Sequence, residues 1–166
     1  MDQQSSDGLS SSPLHPNSMA PDLLMLPAEL AEKITDHLRE ELPNEGVGLL
    51  AVTVENHDGQ RVAIAEVFFP GRNRRKSPIR FDLDLRDLVT ALATIEDNGW
   101  QLGAIVHSHP LGPPTPSRTD LAEANYPEAL MMIVSFATGI PEPRAWRLVS
   151  SGDTWTPEEV PIQPTG

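Results

Sequence analysis

Over residues 27–43, Leu30, Ile34, Leu38 and Leu42 recur at every fourth position, with Glu29, Glu32, Lys33, Asp36, Arg39 and Glu40 among them. That spacing predicts a helix with one apolar stripe, Pro27 in its first turn and Pro43 at its end. Residues 46–54 and 62–69 are apolar runs of strand type, separated by the turn-formers Asn56-His57-Asp58-Gly59, and predict a hairpin. A loop over 70–78 leads to a short extended piece at 79–81. Leu85, Leu88, Val89, Leu92 and Ile95 then return to helical spacing until Asn98-Gly99 stops them. Strands are predicted at 102–106, 130–136, 145–149 and 154–160, with a short helix at 117–125. Helix, two strands, helix, strand, short helix and further strands describe one α/β domain, a mixed sheet with helices packed on it.

Residues 1–22 break the pattern. They are rich in Ser, Pro, Asp and Asn with few large apolar groups, so burial cannot offset their ordering entropy. A disordered tail is expected there, with the domain over 23–166. No charged segment precedes an apolar one at the N-terminus and no apolar run is long enough to span a bilayer, so a cytoplasmic protein is the expectation.

The net charge of −12 argues against wholesale contact with nucleic acid or an anionic membrane, both of which need positive potential. Arg72, Arg74, Arg75, Lys76 and Arg80 are the local exception among 12 basic residues, read either as a solvated loop or as a contact for an acidic partner. The absence of cysteine excludes disulfides, thiolate metal sites and a cysteine nucleophile, leaving nitrogen and oxygen as the only metal ligands. Trp100, Trp146 and Trp155 are read as packed residues in a chain with few aromatics. His15, His37 and His57 lie in polar surroundings and are assigned no function.

The chemistry concentrates in residues 103–120. Residues two apart at the end of a strand project to one face, so His107 and His109 can converge while Ser108 points away. Asp120, returning on a helix after the loop containing Pro110, Pro113, Pro114 and Pro116, can supply a third ligand and leave a fourth position open, as in a catalytic zinc site. Ser117 and Asp120 alone have a second explanation, a helix-capping box. A proton-transferring carboxylate is also needed, and Glu45, before Gly46 at the mouth of the first apolar strand, is one candidate among many.

His107-Ser-His109-Pro110, then Ser117-x-x-Asp120 with seven residues between His109 and Ser117, resembles the signature of the JAMM (MPN-plus) metallopeptidases. Residues 43–50, around Glu45, are similar to the family's upstream Glu segment, and Asn73 with residues 77–81 more loosely resembles a linking segment of its prokaryotic members. The resemblance covers residues 24–160. It implies a single MPN (JAB) domain of α/β class, a mixed β-sheet flanked by helices with cytidine-deaminase-like layering. It further implies one Zn2+ per chain held by His107, His109 and Asp120, with Glu45 as general acid/base and Ser117 stabilising the tetrahedral intermediate. The activity implied is peptidase or isopeptidase hydrolysis, by a zinc-activated water, of an amide at the C-terminus of a ubiquitin-like or sulfur-carrier protein. A non-catalytic interaction module on the same fold is the alternative. Val47 stands where many relatives have Cys, a packing difference. A zinc deaminase is set aside because its metal segment requires cysteines.

Overall fold

The computed structural model describes residues 20–166. In chain order it contains β1 (Leu23–Pro27), α1 (Ala28–Glu40), β2 (Val47–His57), β3 (Gln60–Gly71), α2 (Leu85–Asp97), β4 (Gln101–His109), α3 (Arg118–Ala122), β5 (Leu130–Ser135), β6 (Glu142–Ser151), β7 (Thr154–Val160) and β8 (Ile162–Thr165). The strands form one eight-stranded mixed sheet in the order β7-β6-β5-β4-β2-β3-β1-β8. This is the α/β domain expected, with two strands, β1 and β8, that were not.

Those two strands decide the shape of the sheet. Val160 pairs with Ala145 beside one edge, while Ile162 pairs with Leu24 at the other, and only Pro161 lies between them. Two residues reach no further than about 7 Å, so the sheet must curl until its two edges meet. Leu24 and Val160 accordingly share one core cluster with Leu50, Val52, Val106 and Val134. β1 escapes periodicity because its pairing with β3 and β8 is parallel and far away in sequence.

Alternation along the central strands separates the two faces. In β5, Leu130, Met132 and Val134 belong to the core that receives Ile34 and Leu38 of α1. Met131 and Ile133 face the other way, into a smaller cluster with Leu148, Leu121, Trp146 and Trp155. Trp146 and Trp155 therefore pack as expected, whereas Trp100 belongs to neither cluster.

Three local readings change. Leu85 and Val89 of α2 are 63% and 57% exposed, so the helix is buried mainly through Ala91 and Ile95 and its apolar stripe is narrower than the spacing suggested. Residues 79–81 form no strand; the loop makes only an isolated bridge between Asn73 and Leu83. Ala20 is buried, and Arg147 donates to the carbonyl of Pro21 and pairs with Asp22, so packing begins before residue 23. The remainder of the expected tail, residues 1–19, lies outside the described residues.

His37, assigned no function from sequence, ties α1 to the sheet: its Nε2 lies 3.0 Å from the carbonyl oxygen of Val47 and its ring packs against Phe68. No helix among the described residues is long and apolar enough to cross a membrane.

Candidate metal centre

β4 is central, paired antiparallel with β2 and parallel with β5, so its side chains are positioned from both sides. Ala104 and Val106 fill the α1-side core, which sends His107 and His109 to the opposite face. His107 stands beside Val47 and Ile133 in register and is fully buried. Ser108 does point away from the histidines, and it has work of its own. Its Oγ accepts the Gly46 N–H at 2.8 Å while its own N–H donates to the Gly46 carbonyl at 3.1 Å, joining the start of β2 to the end of β4. A Cβ at Gly46 would stand 2.9 Å from Leu38 Cδ2, so a larger residue there would displace a fully buried side chain of α1.

After His109 the Pro-rich loop turns the chain into α3, whose N-cap is Ser117. Ser117 Oγ accepts the Asp120 N–H at 3.0 Å, and Asp120 Oδ2 accepts the Ser117 N–H at 2.9 Å, the reciprocal pair of a capping box. The same Oδ2 lies 3.0 Å from His109 Nε2 and 3.2 Å from His107 Nε2, and the two Nε2 atoms are 3.3 Å apart. The cap thus aims the carboxylate at the imidazoles, and the two readings of Ser117-x-x-Asp120 describe one arrangement.

Protonation decides what this cluster can hold. His109 Nδ1 lies 2.7 Å from the Pro113 carbonyl oxygen, which can only accept, so Nδ1 carries a hydrogen. Neutral His109 then presents a lone pair from Nε2 to the lone pairs of Asp120. That contact is favourable only with a cation, a proton or a metal ion, between them. Burial by itself would lower His109, but hydrogen bonding to Asp120 and Pro113 leaves its pKa raised. Burial would raise Asp120, yet the two histidines hold it well below the usual carboxylate range. His107 is lowered, burial outweighing its bond to Asp120.

Three donor atoms separated by 3.0, 3.2 and 3.3 Å fit a small divalent ion. A tetrahedral zinc with bonds of about 2.0–2.1 Å keeps its ligand atoms roughly 3.3 Å apart. Among the described residues, His107, His109 and Asp120 form such a group, and it is buried.

Glu45 sits just before β2 and is 3% exposed. Its Oε1 is buried without a hydrogen-bond partner, and desolvation first, then the nearby Asp120, raise its pKa to about 8 against the pull of His109. All five residues singled out in the sequence therefore lie in or beside one cluster. Two further contributors come from the segment that resembles the family's linking segment, where no role was assigned to them. Phe81 stacks on His107 with centroids 4.6 Å apart and planes at 28°. Asn73, 7% exposed, donates through Nδ2 to the Glu45 carbonyl at 2.9 Å. A cavity of about 490 Å³ opens beside Asp120, walled by Phe81, Leu88, Tyr126 and Met131 with Arg75 and Arg80. Of the basic cluster, Arg72 is committed to Asp87 at 3.0 Å and Asp84 at 3.5 Å, while Arg74, Arg75, Lys76 and Arg80 are exposed.

Comparison with known proteins gives the same family. Residues 27–149 match the family described as prokaryotic homologs of the JAB domain. A Thermus thermophilus protein named "Probable TtuB-protein conjugate cleaving protease" is 40% identical over 63% of this chain, an alignment spanning 65% of that protein, just under two thirds. The CysO-cysteine peptidase of Mycobacterium tuberculosis is 30% identical over 83% of this chain and 91% of its own length. A desampylase of Haloferax volcanii is 32% identical over 68% and 80% respectively. A solution structure of a Desulfitobacterium hafniense protein superposes with a TM-score of 0.69 at 28% identity, covering 86% of this chain and 94% of the other. With the family matched over most of its length and the histidines and aspartate of the signature brought together, the chain belongs to the prokaryotic JAB-domain, JAMM-type family.

Proposed function

We propose that this protein is a zinc-dependent peptidase or isopeptidase that hydrolyses an amide bond at the C-terminus of a ubiquitin-like or sulfur-carrier protein. The observation that carries the proposal is the convergence of His107 Nε2, His109 Nε2 and Asp120 Oδ2, with Glu45 buried next to them. Relatives named for cleaving TtuB conjugates and CysO-cysteine support the substrate class.

His107, His109 and Asp120 would hold the ion. Bound zinc supplies a Lewis acid for the scissile carbonyl, lowers the pKa of water to about 7, and by its charge lowers that of Glu45. Glu45 takes a proton from the attacking water and delivers it to the departing nitrogen as the C–N bond breaks; no covalent intermediate with the protein forms. Burial suits Glu45 to this work, because a carboxyl pushed towards neutral pH can both accept and return a proton. Ser117 Oγ accepts from the Asp120 N–H, and its hydroxyl proton has no acceptor among the described residues. We assign that proton to the oxyanion formed from the substrate carbonyl. The cavity beside Asp120, apolar between Phe81 and Met131 with arginines to meet a chain end, is assigned to the extended C-terminal segment of the substrate.

Elemental analysis of the parent and His107→Ala, with hydrolysis of ubiquitin-like fusions with and without chelator, tests the reading. One zinc per chain in the parent, lost in the variant, and chelator-sensitive cleavage are expected. A parent that takes up no zinc, or cleaves equally well in chelator, overturns it.

A further inference from the structure

The carboxylate of Glu45 makes no hydrogen bond to the described residues, so its place is set by its backbone. That backbone is not yet in the sheet, since β2 begins at Val47. Both peptide groups of Glu45 are held instead by the loop over 73–82. Its N–H donates to the Ser77 carbonyl at 2.8 Å, and its carbonyl accepts from Asn73 Nδ2 at 2.9 Å.

The Asn73 amide does more than this. Nδ2 also donates to the Arg80 carbonyl at 3.0 Å, and Oδ1 accepts the N–H groups of Arg75 at 3.0 Å and Asp82 at 2.8 Å. Two donated and two accepted bonds use the full capacity of a side-chain amide. Arg80 and Asp82 bracket Phe81, the residue stacked on His107. One buried side chain therefore fixes both the backbone of Glu45 and the aromatic ring that packs a proposed metal ligand.

We propose that Asn73 is a positioning residue for catalysis, a clamp that holds the loop over 73–82 so that Glu45 and Phe81 are set together. This inference rests on the assignment of Glu45 as the proton-transferring residue. Asp at position 73 has the shape of Asn and keeps acceptors for Arg75 and Asp82, but it loses both donated bonds and sets a carboxylate against two carbonyls. Ala at 73 loses all four. Arg72 lies outside this loop, pairs at the surface with Asp84 and Asp87, and touches neither Glu45 nor Phe81 in any hydrogen bond or ring contact.

The experiment compares parent, Asn73→Asp, Asn73→Ala and Arg72→Ala by zinc content, steady-state hydrolysis of a ubiquitin-like fusion, trypsin cleavage and amide hydrogen exchange. Asn73→Asp and Asn73→Ala are expected to keep one zinc per chain and lose about 10–100-fold in kcat with little change in KM, as for residues that orient a reacting group from behind. In Asn73→Ala, trypsin is expected to cut faster after Arg74, Arg75, Lys76 and Arg80, and the Arg75 and Asp82 amides to lose protection. Arg72→Ala keeps the parental kcat. An active parent with Asn73→Asp at parental kcat overturns the inference alone. Rapid exchange of the Arg75 and Asp82 amides in the parent overturns it even if both variants fail to fold. A zinc-loaded parent that hydrolyses no such fusion overturns the peptidase reading, and Glu45's part in this inference with it.

Discussion

His109 Nδ1 donates to the carbonyl oxygen of Pro113 at 2.7 Å. This one bond fixes which nitrogen of the ring faces Asp120, and it is made by the loop that also sets the distance between β4 and α3. Proline at 110, 113, 114 and 116 stiffens that loop, so rigidity and tautomer have one source.

A consequence concerns metal uptake. Asp120 and Pro113 hold His109 above its ordinary pKa, and below that raised pKa a proton occupies the position the ion must take. Zinc binding is therefore expected to release a proton and to weaken as pH falls below the His109 pKa. Calorimetric titration in buffers of different ionisation enthalpy reads this directly; a buffer-independent heat near pH 7 would contradict it.

Stability of the metal-free protein should depend on pH through Glu45. Its pKa rises from 4.5 unfolded to about 8 folded, so between those values the folded state binds more protons and stability falls as pH rises. The loss is on the order of a few kcal/mol, complete above about pH 8. His109, also raised, adds to the same trend from 6.5 upwards, whereas His107, lowered, opposes it by weakening the fold as pH falls below 6.5. Glu45→Gln should flatten the decline between pH 5 and 9 in chelator-treated samples. It should also cost about 100-fold or more in hydrolysis by the zinc-loaded protein. Parallel melting curves for parent and variant across that range would count against a buried, proton-holding Glu45.

Ser108 joins β4, the strand of the two histidines, to the Glu45 segment. Ser108→Ala leaves the buried Gly46 N–H without an acceptor, at a cost of about 1–3 kcal/mol. A fall in Tm of roughly 2–4 °C per kcal/mol is expected for a chain of this size, with zinc content retained and kcat reduced because Glu45 adjoins Gly46. An unchanged Tm would mean that the Gly46 N–H finds another partner.

The legible part of the molecule is instructive. The pair of histidines could be read because strand alternation is local, whereas Asp120 stood out from a plain helix cap only through its spacing from the histidines and the JAMM-like signature; the fold shows that the capping box is what gives that carboxylate its direction. β1 and β8 were not legible: each is short, each pairs with a distant segment, and Leu23–Pro27 reads as the approach to a helix. The exposed Leu85 and Val89 mislead any reading of α2 by spacing alone. Asn73 and Phe81 sit in a loop without periodicity, where the family resemblance marked the segment but gave it no role; that role arises only when the chain brings residue 73 to residue 45 and residue 81 to residue 107.

Ser117 offers the sharpest separation of a structural from a catalytic contribution. Its Oγ lone pair caps α3, and the proposal gives its hydroxyl proton to the substrate oxyanion. Removing the cap costs about 0.5–2 kcal/mol of stability, while removing a donor to an oxyanion costs about 100–1,000-fold in kcat. Ser117→Ala should show both losses. Ser117→Thr, which keeps an acceptor and a donor at the same position, should recover most of each. If Ser117→Ala lowers Tm but hydrolyses at the parental rate, measured well below its melting temperature, then Ser117 acts only by aiming Asp120 at the histidines. The oxyanion would in that case be left to the metal alone.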